Sequence, residues 1–212
     1  MFAVIFDMDG TLLDTQRICI PAWEYAGLLQ GYKAVGDHIV NVCGMNKNGS
    51  NEYLKRNFPG IDIDEFDKAA GQYINENLIV TFKKGAQELI GFLKQNNIKI
   101  GLASGTSRAS VMHHLNEVDV TDSFDAIVCG TEVENGKPAP DVFLKTAELL
   151  GVEPGNCFVF EDSENGIRAG VAAGMKCIGI ADLVPFSEDI KSLMFKELSN
   201  MTQAIEIFKE YI

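Results

Sequence analysis

Apolar residues along this chain gather into short unbroken runs, each ending abruptly in polar or small residues. The first run, Phe2-Ala3-Val4-Ile5-Phe6, stops at Asp7. Its β-branched and aromatic character predicts a strand buried on both faces, as at the centre of a parallel sheet. Similar runs predict strands near residues 98–103, 125–129, 157–160 and 176–180, and helical patterns near 107–117, 141–150 and 164–173 lie between them. Strands alternating with helices imply a parallel sheet joined by right-handed crossovers. Gly151 fits a helix C-cap, with Pro154 just beyond. Residues 201–212 read as a closing amphipathic helix.

The stretch from about residue 15 to 82 has a different pattern. It holds no strand signal, only helical candidates near 16–30, 36–43, 50–58 and 64–80. The expected fold is α/β: a Rossmann-like three-layer parallel sheet core built from residues 1–14 and 84–212, with an α-helical domain of residues 15–83 inserted after the first strand.

Candidate chemistry sits where the strands end. Ligands of open α/β sheets bind beyond the carboxyl ends of the strands, and Asp7 and Asp9 fall there in Asp7-Met8-Asp9-Gly10-Thr11. Two close carboxylates repel unless a cation or a shared proton relieves them. They therefore suit a divalent metal, or a nucleophile beside a general acid/base. Taken alone, the motif equally describes a strand followed by a solvated Asp-Gly turn. Further along, Ser104-Gly105-Thr106-Ser107 follows the 98–103 run and offers hydroxyl and backbone N–H donors to a phosphate, although such residues also simply cap helices. Lys137 lies in Gly136-Lys137-Pro138-Ala139-Pro140-Asp141, where the prolines stiffen the loop. Glu161-Asp162 ends the Cys157-Phe158-Val159-Phe160 run with hard oxygen ligands of the kind Mg²⁺ prefers.

In this order and at these spacings, Asp7/Asp9, Ser104, Lys137 and Glu161-Asp162 resemble the motifs of the haloacid dehalogenase superfamily. The resemblance spans nearly the whole chain and is narrowest to the small phosphatases and β-phosphoglucomutases with a helical cap after the first strand. It implies that Asp7 is the nucleophile forming an aspartyl phosphate, and that Asp9 is the acid/base, its carbonyl also reaching the metal. Asp162 would bind Mg²⁺ with Asp7, supported by Glu161, and Ser104 and Lys137 would hold the phosphoryl oxygens. Asp9 argues against dehalogenation, because a halide leaving group needs no proton. The inserted helices would form a lid that excludes water from the site.

Composition narrows the partners. The formal charge is −12, from 18 basic and 30 acidic residues, so the chain offers no basic surface to nucleic acid. Its five cysteines are an odd number with no paired spacing, which argues for reduced core residues rather than a disulfide framework. No apolar run approaches a membrane span and no signal sequence precedes the first strand, so a cytoplasmic location is expected.

The substrate is less legible: a small phosphorylated metabolite is expected, with sugar phosphates among the candidates. In the resembling subgroup a cap loop with a Gly and a basic residue reaches the site. Here that points to Cys43-Gly44-Met45-Asn46-Lys47-Asn48, with Lys47 equally readable as a solvated loop lysine. Trp23 reads better as an anchor of the inserted helices than as a sugar-stacking residue. β-Phosphoglucomutases carry a His four residues after the position of Thr15, where this chain has Cys19. They also carry a Ser-Lys-Asn run where this chain has Thr106-Ser107-Arg108, although Thr106 and Arg108 would still suit a distal phosphate. A phosphatase is therefore expected over a phosphosugar isomerase or a non-catalytic binding module. Phosphonate hydrolysis through a Schiff-base lysine is a weaker reading, with Lys47 a loose match.

Overall fold

The structure, a computed structural model, describes residues 2–43 and 47–212. The chain divides into two compact units, Met1–Asp14 with Val80–Ile212, and Thr15–Ile79.

The first unit is built on a sheet that, among the described residues, has six strands. They are β1 (Ala3–Phe6), β2 (Lys99–Ser104), β3 (Ala126–Cys129), β4 (Cys157–Glu161), β5 (Lys176–Gly179) and a two-residue β6 (Lys196–Glu197). All pairs are parallel, in the order β3-β2-β1-β4-β5-β6. Alternate residues of β1 face opposite layers. Val4 and Phe6 pack with Leu89, Leu93, Val111 and Phe208, whereas Ala3 and Ile5 pack with Phe143, Ala147 and Ile167. Burial on both faces is why the strand reads as an unbroken apolar run. The first face is covered by the helices α4 (Ala86–Gln95), α5 (Arg108–Glu117) and α9 (Thr202–Lys209). The second is covered by α6 (Asp141–Leu150) and α7 (Glu164–Ala172), with the short α8 (Glu188–Lys191) beside them.

β1 pairs with β2 on one side and β4 on the other, so the winding direction of the sheet reverses at β1. Diverging loops at such a switch point leave a crevice at the strand's carboxyl end. Asp7 occupies that end, its amide still donating to Phe160 O at 3.0 Å. The chain then turns through Gly10, whose φ of 80° suits a residue without Cβ. Residues 80–83 group with this unit because Leu13 bridges Phe82, Asp14 N donates to Thr81 O at 2.8 Å, and Lys83 N donates to Leu12 O at 2.9 Å.

The second unit contains α1 (Cys19–Leu29), α2 (Lys47–Asn57) and α3 (Ile63–Asn77) around a core that includes Ala22, Ala26, Val35, Leu54 and Phe66. Asp62 starts α3 by accepting from the amides of Asp64 and Glu65 at 3.0 and 3.1 Å. The helical candidate near 36–43 is a 3-10 helix over Gly36–Asn41. It is anchored by Glu24, which accepts from the amides of Ala34 and Gly36 at 3.1 and 3.2 Å. Trp23 meets Phe66 edge-on, ring centroids 5.3 Å apart, as a packing residue of this unit. Among the described residues, no helix is long and apolar enough to cross a membrane.

Candidate active site

Three strand ends and one loop of the first unit bring the candidate residues together. Asp7 and Asp9 follow β1, Ser104 closes β2, Glu161 closes β4 with Asp162 next, and Lys137 comes from the loop before α6. Lys137 is the hub. Its Nζ donates to Asp7 Oδ1 at 2.5 Å, to Glu161 Oε1 at 2.6 Å and to Ala103 O at 3.1 Å. All the protons of the ammonium therefore have acceptors. The Phe143 ring lies 4.8 Å from Nζ and closes one side.

Glu161 is almost fully buried, and its second oxygen accepts from the Ser163 amide at 3.1 Å and from the Ser163 hydroxyl at 2.9 Å. The same hydroxyl caps α7 by accepting from Gly166 N at 3.0 Å. Gly166 is the one residue that can stand there, because a Cβ would fall 1.8 Å from the Glu161 carboxylate. Asp162 Oδ1 accepts from the buried Thr11 hydroxyl at 2.9 Å. Asp9 Oδ2 accepts from the Thr106 hydroxyl at 2.7 Å, and the Thr106 amide donates to Ser104 Oγ at 3.0 Å.

The electrostatics follow from burial. Removal from water pushes the Asp7 carboxyl well above the usual range. Lys137 opposes that shift, and the charges of Glu161, Asp162 and Asp9 add to it. Asp162 is pushed up to about 7, first by burial and then by the Glu161 charge, with the Thr11 hydrogen bond acting the other way. Burial works against the Lys137 charge, but the Asp7 and Glu161 carboxylates outweigh it and hold the ammonium above its ordinary value.

Asp7, Glu161 and Asp162 each offer an oxygen within 4.8 Å of the others'. Once all three are ionised, these carboxylates facing one ammonium leave a net double negative charge. Hard oxygen donors carrying that charge fit a divalent cation such as Mg²⁺.

Other expected residues have different surroundings. Gly105 is exposed beside Ser104, with open space where a Cβ would stand. Arg108 directs its guanidinium at Glu132 through two hydrogen bonds, and one Nη also donates to Ile127 O at 2.8 Å. Lys47 belongs to the second unit, where Nζ meets Asp67 at 2.5 Å. The loop candidates Gly44, Met45 and Asn46 lie outside the described residues. His113 lies near Glu117 at 3.7 Å on α5, an exposed helix position.

Sequence reasoning missed Thr11 and Ser163 as partners of the carboxylates, although both lie inside quoted motifs. It also missed a buried pair near the acidic cluster, Lys83 Nζ and Asp182 Oδ1 at 2.5 Å, in which the aspartate side chain has no exposure. Asp182 adds to the upward pressure on Asp162. No sequence signal links two residues 99 positions apart.

Comparison with known proteins shows the family and the fold. The family model described as haloacid dehalogenase-like hydrolase matches residues 4–180. The chain is 31% identical over 187 residues to a phosphorylated carbohydrates phosphatase of Thermotoga maritima, covering 84% of each protein. It is 32% identical over 214 residues to the β-phosphoglucomutase of Bacillus subtilis, covering 95% of this chain and 92% of that protein. Among solved structures, the β-phosphoglucomutase of Clostridium difficile superposes with a TM-score of 0.74 at 26% identity, covering 100% of this chain and 98% of that one. The chain belongs to the haloacid dehalogenase-like hydrolase family.

Proposed function

We propose that this family member is a Mg²⁺-dependent phosphatase of the cytoplasm, hydrolysing a small phosphorylated metabolite, with sugar phosphates among the candidates, through an aspartyl phosphate on Asp7. The observation that carries the reading is the Lys137 hub: one buried ammonium holds Asp7 and Glu161 at the switch point, with Asp9 two residues beyond the nucleophile.

An Asp7 oxygen attacks phosphorus while Asp9 gives its proton to the leaving alcohol oxygen. Asp9 then takes a proton from water as the water oxygen attacks phosphorus. The Asp7–phosphoryl bond breaks, releasing inorganic phosphate and restoring the carboxylate. Ser104 and the backbone at Gly105 hold the phosphoryl oxygens, and the Lys137 ammonium offsets their charge. Asp7 and Asp162 would hold Mg²⁺, with the Asp9 carbonyl and Glu161 in support. When bound, the ion supplies the positive charge that lets an anionic nucleophile approach an anionic phosphate. The helical unit serves as the cap that carries selectivity, with Lys47 its candidate substrate contact.

Hydrolysis is favoured over phosphosugar isomerisation by a specific arrangement. A mutase must grip a second phosphate, and here the Arg108 guanidinium is committed to Glu132 and Ile127 O. Cys19 also stands where the resembling mutases carry a His.

The test is phosphate release from a panel of phosphorylated metabolites with Mg²⁺ and with EDTA, for the wild type and Asp7→Asn. Magnesium-dependent release that is lost in Asp7→Asn is expected, because an amide is a poor nucleophile. Turnover without phosphate release, stimulated by a bisphosphate, would replace the phosphatase with an isomerase. Near-wild-type activity of Asp7→Asn would remove the covalent mechanism.

A further inference from the structure

Thr106 joins two strand ends. Its amide donates to Ser104 Oγ at 3.0 Å, and its hydroxyl donates to Asp9 Oδ2 at 2.7 Å, across 97 positions of sequence. The strands concerned are neighbours, with Phe6 of β1 in register with Leu102 of β2. The bond therefore spans adjacent loops that a rigid sheet holds in place. A hydroxyl has one proton. Given to Asp9, that proton is not available to a phosphate oxygen, and the amide is likewise engaged by Ser104. An acid/base works only when its oxygen lies within hydrogen-bond reach of the atom it serves.

We infer that Thr106 is a positioning residue for the acid/base Asp9 and not a ligand of the substrate phosphate. The inference rests on the phosphatase reading and on the role of Asp9 within it. It makes a distinction that a phosphate ligand would not. Proton donation matters in proportion to the basicity of the leaving oxygen. An alkyl phosphate depends on it, whereas p-nitrophenyl phosphate, with a weakly basic leaving group, hardly does. The value of kcat/KM reports only the steps up to departure of that group. Loss of the Thr106 hydroxyl should therefore appear in kcat/KM for the alkyl ester alone.

The experiment compares wild type, Thr106→Val and Thr106→Ser on p-nitrophenyl phosphate and on the best sugar phosphate of the panel, with inhibition by inorganic phosphate measured alongside. For Thr106→Val, kcat/KM for the sugar phosphate should fall about 10- to 100-fold, while that for the aryl phosphate stays within about twofold. Thr106→Ser should recover most of the loss, and inhibition by inorganic phosphate should be unchanged. In an Asp9→Asn background, Thr106→Val should add less than about twofold, because the two act as one unit. Thr106→Ala supplies a second truncation with the same expected pattern, should the valine variant melt early. An equal fall on both substrates with weaker phosphate inhibition would make Thr106 a phosphate ligand and overturn the inference. So would an unchanged Thr106→Val, or a full additional loss in the Asp9→Asn background. Wild-type protein that releases phosphate from no monoester would overturn the phosphatase reading, and this inference with it. Wild-type turnover with no split between the substrates would overturn the inference alone.

Discussion

Gly166→Ala isolates the packing that holds Glu161. The glycine lies in the first turn of α7 without a left-handed φ, so alanine meets no backbone strain, only the Glu161 carboxylate 1.8 Å from the new Cβ. Ordinary carbon contacts begin near 3.5 Å, so the carboxylate must retreat by roughly 1.7 Å. It then loses at least two of its bonds to Lys137 Nζ, Ser163 N and Ser163 Oγ, which stand at 2.6, 3.1 and 2.9 Å. Hydrogen bonds to a charged group are worth about 1.5–3 kcal/mol each. Alanine returns about 1 kcal/mol through its helix propensity. The net destabilisation is therefore about 2–5 kcal/mol, a large part of the roughly 5–15 kcal/mol that holds a domain folded. Gly91→Ala in α4 is the control, because its Cβ meets nothing within 4 Å. It should be neutral or stabilise by up to about 1 kcal/mol. Urea unfolding of both variants, with the melting shift produced by Mg²⁺ as a second readout, checks the account. A Gly166→Ala protein as stable as wild type, with the full magnesium shift, would refute the argument that this glycine seats Glu161.

Lys83→Ala would leave the buried Asp182 carboxylate without the ammonium 2.5 Å away. It should cost about 3–5 kcal/mol in denaturant unfolding, whereas Lys83→Met combined with Asp182→Leu should recover most of that; a neutral Lys83→Ala would show that the pair contributes nothing. Asp162 titrates at about 7 in the folded protein, with Asp7 also raised, so the folded state holds more protons than the unfolded one between the ordinary carboxylate range and that value. Metal-free stability should accordingly fall as pH rises through that interval. Stabilisation by Mg²⁺, which needs the ionised carboxylates, should grow over the same interval. Melting curves with and without Mg²⁺ from about pH 5 to about pH 8 test this, and a magnesium shift independent of pH would contradict the assignment of these carboxylates as its ligands.

Much of the catalytic unit was legible in the chain because its signals are local. The run Phe2 to Phe6 is apolar throughout because both faces of β1 are covered, and Asp7 stands where that covering ends. The order of strands and helices after residue 98 likewise predicted the parallel core, since each element carries its own periodicity. Short-range reasoning ran out where the local pattern carries too little information. Periodicity near 36–43 marks a helical segment without distinguishing the 3-10 bonding found there, and the two-residue β6 is too short to have a periodicity.

At the site, the sequence by itself determined which groups are available: paired aspartates, a lysine in a stiff loop, and a Glu-Asp step at a strand end. Their partners were decided only by the tertiary structure. Lys137 faces Asp7 across 130 positions, Thr106 is turned to Asp9, and Arg108 is turned to Glu132. The physical reason is that a side chain's chemistry is carried by its identity. Its proton, charge and orientation are set by whichever groups the fold brings within about 3 Å, and that distance is unrelated to separation along the chain.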